Sequence, residues 1–128
     1  MQRILTAGER TRWPGRLSVV NGTVAAMPVF ALSMVHGPGW DDTRPIREQQ
    51  AWDQHAAFMD GLVVDGFIIL GGPLGDGTRT LHVVETSGEQ EIRTRMAGDP
   101  WASMDLLRIG SIEPWQLWLD GRPSTPPR

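Results

Sequence analysis

The residue of this chain with the clearest capacity for chemistry is His55, which interrupts an otherwise apolar pattern. Trp52, His55, Met59 and Leu62 are spaced by three, four and three residues, so they share one face of a helix. The three apolar members predict that this face packs against a core. An imidazole in such a seam needs a polar partner or a chemical role. The pattern alone leaves a structural and a catalytic role for His55 open.

Length and composition restrict the classes of protein that this sequence can encode. The chain has 128 residues, 40% of them hydrophobic and 21% charged, which predicts one globular domain with a substantial core. A net charge of −3 argues against binding to nucleic acid, because that requires a basic face. No apolar run approaches the roughly 18 residues of a transmembrane helix, so no membrane association is expected.

Residue types also bear on cofactors and compartment. The chain has no cysteine, which excludes disulfide bonds, thiolate metal sites and a cysteine nucleophile. The N-terminal segment lacks an apolar stretch long enough for a signal peptide, so we expect a cytoplasmic protein. His36, His55 and His82 are too widely spread for a local metal-binding motif. We therefore predict neither a metal ion nor a cofactor.

Apolar periodicity predicts the element order strand, helix, strand, strand, helix, strand. The strands are predicted over residues 29–36, 67–70, 79–86 and 108–119, and the helices over 44–64 and 89–97. A glycine-rich loop over 71–77 should join the second and third strands as a hairpin. The order indicates an α+β, ferredoxin-like βαββαβ fold, with a four-stranded antiparallel sheet and both helices on one face.

Three regions differ in composition. Residues 1–28 are predicted to form a flexible N-terminal extension, although 17–20 could be a strand and Asn21-Gly22 a hairpin turn. Residues 29–119 form the predicted domain, and residues 120–128, with three prolines, form a C-terminal tail. The order of elements thus places a single domain between two extensions.

The second face of the predicted sheet is also largely apolar. Leaving such a face in contact with water is unfavourable. The simplest cover is a second copy of the chain in a two-fold homodimer, and the alternative is a lid formed by residues 1–28. We expect the homodimer.

These motifs in this order resemble those of the YCII-related family of small dimeric α+β barrel proteins. The resemblance depends on His55 in the first helix, Gly66 eleven residues later and the Gly72-Pro73 turn after the second strand. Asp99-Pro100-Trp101 after the second helix and an aromatic-containing last strand complete it. The resemblance covers residues 29–119 and leaves out both extensions.

The resemblance implies a site. In that family the helix histidine and the aspartate of the Asp-Pro element come together beside the sheet as a catalytic dyad, which here would be His55 and Asp99. Some relatives are associated with dehydrochlorination of chlorinated hydroxyquinols, and most have no assigned reaction. Gly72 and Pro73 could line the ligand pocket, because a glycine lets a ligand approach the backbone. Trp52 and Trp101 could form walls for a flat substrate.

A His–Asp pair is suited to acid–base chemistry. The carboxylate would orient the imidazole, fix its tautomer and favour its protonated form. The imidazole could then take a proton from a carbon or hydroxyl group and return one to a leaving group. These roles predict a cofactor-free enzyme of lyase or isomerase type that acts on a small polar, aromatic molecule. A non-catalytic dimeric module that binds a small ligand or serves as structure stays open as the alternative.

Overall fold

The computed structural model describes residues 17–20 and 23–123 of the chain. The strands are β1 (Leu17–Val20), β2 (Thr23–Ala26), β3 (Val29–His36), β4 (Ile68–Leu74), β5 (Arg79–Glu85) and β6 (Leu107–Pro114). The helices are α1 (Trp52–Val64), α2 (Glu89–Met96) and α3 (Pro100–Ser103), and a short 3-10 helix covers Ile46–Glu48.

Four strands form one antiparallel sheet in the order β4-β5-β3-β6. The α+β class and the four-stranded antiparallel sheet are as the sequence predicts, and the order is compatible with a ferredoxin-like fold. Alternation along β3 turns Phe30, Leu32 and Met34 to one side, where all three are buried. Leu62 of α1 and Met96 of α2 belong to the same buried cluster. Both helices therefore cover the same face of the sheet.

The other face of the sheet is apolar and incompletely covered. Val29, Ala31 and Val35 of β3 alternate with the core residues and are half-buried. Leu70 and Leu74 of β4 are 58% and 36% exposed. The apolar second face of the sequence prediction is therefore present on the described sheet.

The first helix is shorter than the sequence predicts. It begins at Trp52 rather than at residue 44, because Ala51 adopts the left-handed conformation with a φ of 60°. That conformation cannot continue a right-handed helix. The chain before it forms only the 3-10 turn, and the amide of Gln49 holds the loop by donating to the carbonyl oxygens of Asp41 and Arg44.

The predicted loop over 71–77 is wrong in its first half. Strand β4 continues through Gly71, Gly72 and Pro73 to Leu74, and only the last part of that segment turns the chain. Pro73 is tolerated because β4 is an edge strand, where a missing N–H leaves no ladder partner unsatisfied. The pairing with β5 slips between Ile68 and Leu70. Ile69 is therefore the extra residue of a β-bulge.

The last strand is also shorter than predicted. It ends at Pro114 instead of residue 119, since proline cannot donate to the ladder. Trp118 and Leu119 are 85% and 93% exposed and are not residues of the sheet. Beyond them, Arg122 lies within 2.5 Å of the nearly buried carboxylate of Glu85 and bonds to Asp120. Part of the predicted tail therefore packs on the domain.

The predicted N-terminal extension is described only in part. Strands β1 and β2, on either side of Asn21-Gly22, pair in antiparallel register from Leu17 with Ala26 to Val20 with Thr23. The two strands of the hairpin that the sequence left as an alternative are thus paired, while residues 1–16 and the predicted turn residues Asn21 and Gly22 lie outside the described part of the chain. No helix within the described residues is both long and apolar enough to span a membrane.

Candidate active site

His55 lies in the first turn of α1 and turns toward the protein interior. It is only 6% exposed, as expected for a member of the apolar face that the sequence defines. Its Nδ1 lies 2.8 Å from Oδ2 and 3.0 Å from Oδ1 of Asp99. The structure therefore brings together, across 44 residues of sequence, the two residues that the resemblance pairs.

The local sequence explains the position of Asp99. This residue has extended backbone angles and precedes α3, while Pro100 occupies the first helical position. Asp and then Pro are favoured at these two positions, because the carboxylate caps a backbone N–H and proline lacks one. Asp99 Oδ1 accepts the N–H of Trp101 at 2.9 Å. One carboxylate therefore both caps α3 and contacts His55.

Two tryptophan side chains pack against the imidazole ring of His55. The ring of Trp101 stacks on His55 with centroids 3.8 Å apart and planes within 5° of parallel. Trp101 is fully buried, and its Nε1 donates to the carbonyl oxygen of Gln50 at 2.6 Å. Trp52, one helical turn before His55, is tilted against the same imidazole with centroids 5.9 Å apart. The two tryptophans thus pack against the histidine, and their role as walls for a flat substrate stays a prediction.

The geometry assigns the two ring nitrogens of His55 different roles. An ionised carboxylate can only accept hydrogen bonds, so Nδ1 carries the proton that Asp99 accepts. In the neutral ring Nε2 then carries the lone pair, and it makes no hydrogen bond to any described residue. This is the arrangement in which an imidazole can act as a general base through Nε2.

A second buried histidine, His82, lies next to this pair. It lies in β5 on the face of the sheet that the helices cover, opposite Leu32 of β3, and is 8% exposed. Burial, and to a smaller extent the charge of His55, lowers the pKa of His82 to about 4. Sequence reasoning noted His82 only as a strand residue. Its alternation with the buried Val84 was the signal that could have placed it inside.

A pocket of about 220 Å³ lies between α1 and the edge strand β4. Its lining residues are Met59 and Val63 of α1, Ile68, Ile69, Leu70 and Gly71 of β4, and His82 of β5. Met59 lies one helical turn beyond His55, but neither His55 nor Asp99 is among the residues that line this pocket.

The bulge decides which glycine faces this pocket. Simple alternation from the buried Ile68 would place Gly72 on the helix side. The extra residue at Ile69 shifts the alternation by one, so Gly71 is in register with His82 and Gly72 with Leu81. Gly72 thus lies on the opposite face of the sheet, while Pro73 shares the face of Gly71 through its register with Thr80. Neither Gly72 nor Pro73 is among the residues that line this pocket.

Among the residues that the structure describes, no group of three or more His, Asp or Glu side chains is arranged to hold a metal ion. Comparisons with protein-family models, with curated proteins and with solved structures found no match to this chain. The resemblance to the YCII-related family therefore stays a prediction that depends on the motifs quoted above.

Proposed function

We propose that this chain is a YCII-related, cofactor-free enzyme of lyase or isomerase type that acts on a small polar aromatic molecule. The observation that carries the proposal is the buried imidazole of His55, with Nδ1 on Asp99 and Nε2 without a described hydrogen-bond partner. A ring nitrogen that bears a lone pair and has no described protein partner can accept a proton from a substrate.

The chemistry would proceed through Nε2 of His55. It would take a proton from a carbon or hydroxyl group of the substrate and return a proton to the carbon or leaving group. Asp99 would stabilise the imidazolium that exists between these two steps, because a carboxylate within hydrogen-bonding distance favours the charged ring. Trp101, stacked on the imidazole, would keep Nε2 in one direction throughout.

The alternative is a binding or structural module, and one observation favours it. Asp99 also caps α3, and Trp101 links the same segment to Gln50. The pair therefore already joins α3 to α1 without any reaction. A structural role predicts that His55 and Asp99 matter for stability and not for proton transfer, so the two functions can be separated by experiment.

The test measures proton exchange and chloride release with a panel of hydroxylated aromatics that includes chlorinated hydroxyquinols. In D₂O, the protein should speed exchange of a ring proton, or release of chloride, from at least one member. His55→Gln should lower that rate by about 100- to 10,000-fold, the usual contribution of a general base. His36→Gln is the matched control, because His36 stacks on Trp40 and is not part of the proposed dyad.

Asp99→Asn sharpens the same test. Asparagine can still accept the Trp101 N–H through Oδ1, so its NH₂ group would face His55 and force the ring proton from Nδ1 to Nε2. We expect loss of the lone pair at Nε2, visible in ¹⁵N NMR, together with loss of exchange activity in a folded protein. Equal rates for His55→Gln and the unchanged protein would refute the enzymatic proposal and favour the module.

We also propose that the second face of the sheet packs against another copy of the chain. Half-buried Val29, Ala31 and Val35 and the more exposed Leu70 and Leu74 support this, because a monomer would leave them in contact with water. Analytical ultracentrifugation should give twice the mass of the chain. Val35→Lys should give the monomer mass, while Val64→Lys, which changes a 77% exposed valine at the end of α1, should not.

A further inference from the structure

We propose that a second copy of the chain packs on the second face of the sheet with its strands reversed. Residues 115–122, which we call the strap, then cover the open end of the other copy's sheet. The orientation rests on the proposed packing of two copies through this face and adds the residues that meet there. It does not depend on the reaction proposed for His55.

The strap covers one end of the second face. Glu85 of β5 pairs with Val29 of β3, so both side chains lie on this face. Trp115 follows β6 and donates its N–H to the carbonyl oxygen of Val29 at 2.8 Å, and Arg122 forms an ion pair with the carboxylate of Glu85. A cavity of about 280 Å³ between the strap and the sheet is lined by residues of both. The strap is therefore held against the sheet at both of its ends.

The opposite end of the same face is more open. There Val35 pairs with Arg79 of β5 and with Arg108 of β6, and Leu74 of β4 also pairs with Arg79. Arg79 is exposed, the side chain of Arg108 is 55% exposed and Leu74 is 36% exposed. We call these four residues the open end. The second face thus has a ridge at one end and an apolar and basic surface at the other.

The ridge restricts how two such faces can meet under two-fold symmetry. Two sheets that pack face to face lie about 10 Å apart. If the strands of both copies ran in the same direction, the two straps would collide at one end and the two open ends would stay apart at the other. With reversed strands, each strap meets one open end. Only the reversed arrangement therefore keeps the two sheets evenly spaced.

The outward side of the strap has the chemistry that the open end requires. Trp118 and Leu119 are 85% and 93% exposed, although the strap that carries them is anchored to the sheet by Arg122. In the reversed arrangement they lie over Val35 and Leu74 of the other copy. Contact between these apolar side chains removes all four from water, which stabilises the assembly.

The charges at the two ends match in the same orientation. Glu113 of β6 pairs with Ala31, so it lies on the second face at the end near the strap. A two-fold axis across the strands places β6 over β6, and Glu113 then lies over Arg108 of the other copy. An axis along the strands would place Glu113 over Leu70 instead, because both residues belong to one row through Val83 and Ala31. Complementary charges select one orientation over another, and here they favour reversal.

The experiment uses the full chain, which contains no cysteine. Glu113→Cys and Arg108→Cys are co-expressed and treated with a short bismaleimide that links thiols on facing sheets. Reversal predicts covalent dimers in this mixture. Either variant alone should give few, because equivalent residues are then offset by four residues of strand, roughly 13 Å. Glu113→Cys with Leu70→Cys is the matched control, since it reports strands that run in the same direction.

Charge reversal gives a second readout. Glu113→Arg should weaken the dimer about tenfold in analytical ultracentrifugation, because like charges then face each other. Adding Arg108→Glu should restore the affinity. Glu89→Arg makes the same change of charge at an exposed residue of α2, on the other side of the sheet, and should leave association unchanged.

The outcomes separate the orientation from the dimer itself. A dimer that links the Glu113 and Leu70 positions, or that gives no link between the Glu113 and Arg108 positions, would overturn the orientation and keep the dimer. A dimer that ignores Glu113→Arg would do the same. A monomer mass for the unchanged protein would overturn both the proposed packing and its orientation.

Discussion

His55 and His82 are buried to nearly the same extent, at 6% and 8% exposure, yet their surroundings are opposite. His55 has a carboxylate 2.8 Å from Nδ1 and a tryptophan stacked on its ring. His82 has one long contact to Thr80 and a buried nitrogen that makes no hydrogen bond to a described residue. A negative charge therefore lies beside His55, whereas burial disfavours a charge on His82.

The difference shows that partners, rather than burial, decide what a buried imidazole can do. Desolvation disfavours the charged ring at both positions. A carboxylate lies beside the imidazole of His55, whereas burial, together with the charge of His55, lowers the pKa of His82 to about 4. The two buried rings therefore have different electrostatic surroundings. Four predictions test the contrast.

The largest expected effect on stability is at His55, the histidine that contacts a carboxylate. His55→Leu should lower the free energy of unfolding by about 3–5 kcal/mol, because it leaves the buried carboxylate of Asp99 without its partner. Urea unfolding at pH 7 measures the loss. A loss below about 1 kcal/mol would mean that the pair behaves as an exposed ion pair, in conflict with its burial.

The next effect is the pH dependence that His82 causes. Between its ordinary pKa of 6.5 and about 4 in the folded state, the unfolded chain binds a proton that the folded protein does not. Stability therefore falls as the pH drops through this window, by about 3 kcal/mol at pH 4. Carboxylates titrate there as well, so the measured quantity is the difference between the unchanged protein and His82→Leu. Parallel stability curves for the two proteins would contradict this assignment.

A smaller effect is expected at Gly71. Gly71→Ala places a methyl group 2.0 Å from His82 Nδ1 and should destabilise the fold by about 1–3 kcal/mol, as overpacking does. In a His82→Ala background the same change should be tolerated, because the clashing ring is gone. A double-mutant cycle measures the coupling. Gly72→Ala is the matched control, since nothing lies within 4 Å of a Cβ there.

The smallest effect is expected at His82 itself. His82→Leu at pH 7 should keep stability within about 1 kcal/mol of the unchanged protein, because it removes a buried nitrogen that has no partner. The comparison with His55→Leu is direct, since the same substitution is made at two nearly equally buried histidines. Equal losses at the two positions would remove the distinction between the two environments.

The sequence predicted the elements well where the pattern was periodic. Strand β3 has the predicted bounds, β5 and α2 each end one residue earlier than predicted, and the face of Trp52, His55, Met59 and Leu62 lies on one helix. The errors fall where conformation depends on single residues. The first helix begins only after Ala51, and β6 ends at Pro114. The sequence pattern predicts a longer element in both places.

The candidate site was predicted in part, for a similar reason. His55 and Asp99 came from motif order, and the structure shows the contact that joins them. His82 was overlooked, although its spacing of two residues from Val84 places both side chains on one face of β5. Gly71 was overlooked because the glycine-rich segment resembles a loop and is a strand instead.

The sequence by itself determined the alternation of buried residues along β3, the capping of α3 by Asp99 and the apolar face that contains His55. These properties depend on residues within a few positions of one another. Only the tertiary structure decided that Asp99 reaches His55 and that Gly71, not Gly72, faces His82. The first depends on packing between distant segments. The second depends on a bulge at Ile69, since one extra residue turns every following side chain to the other face of the sheet.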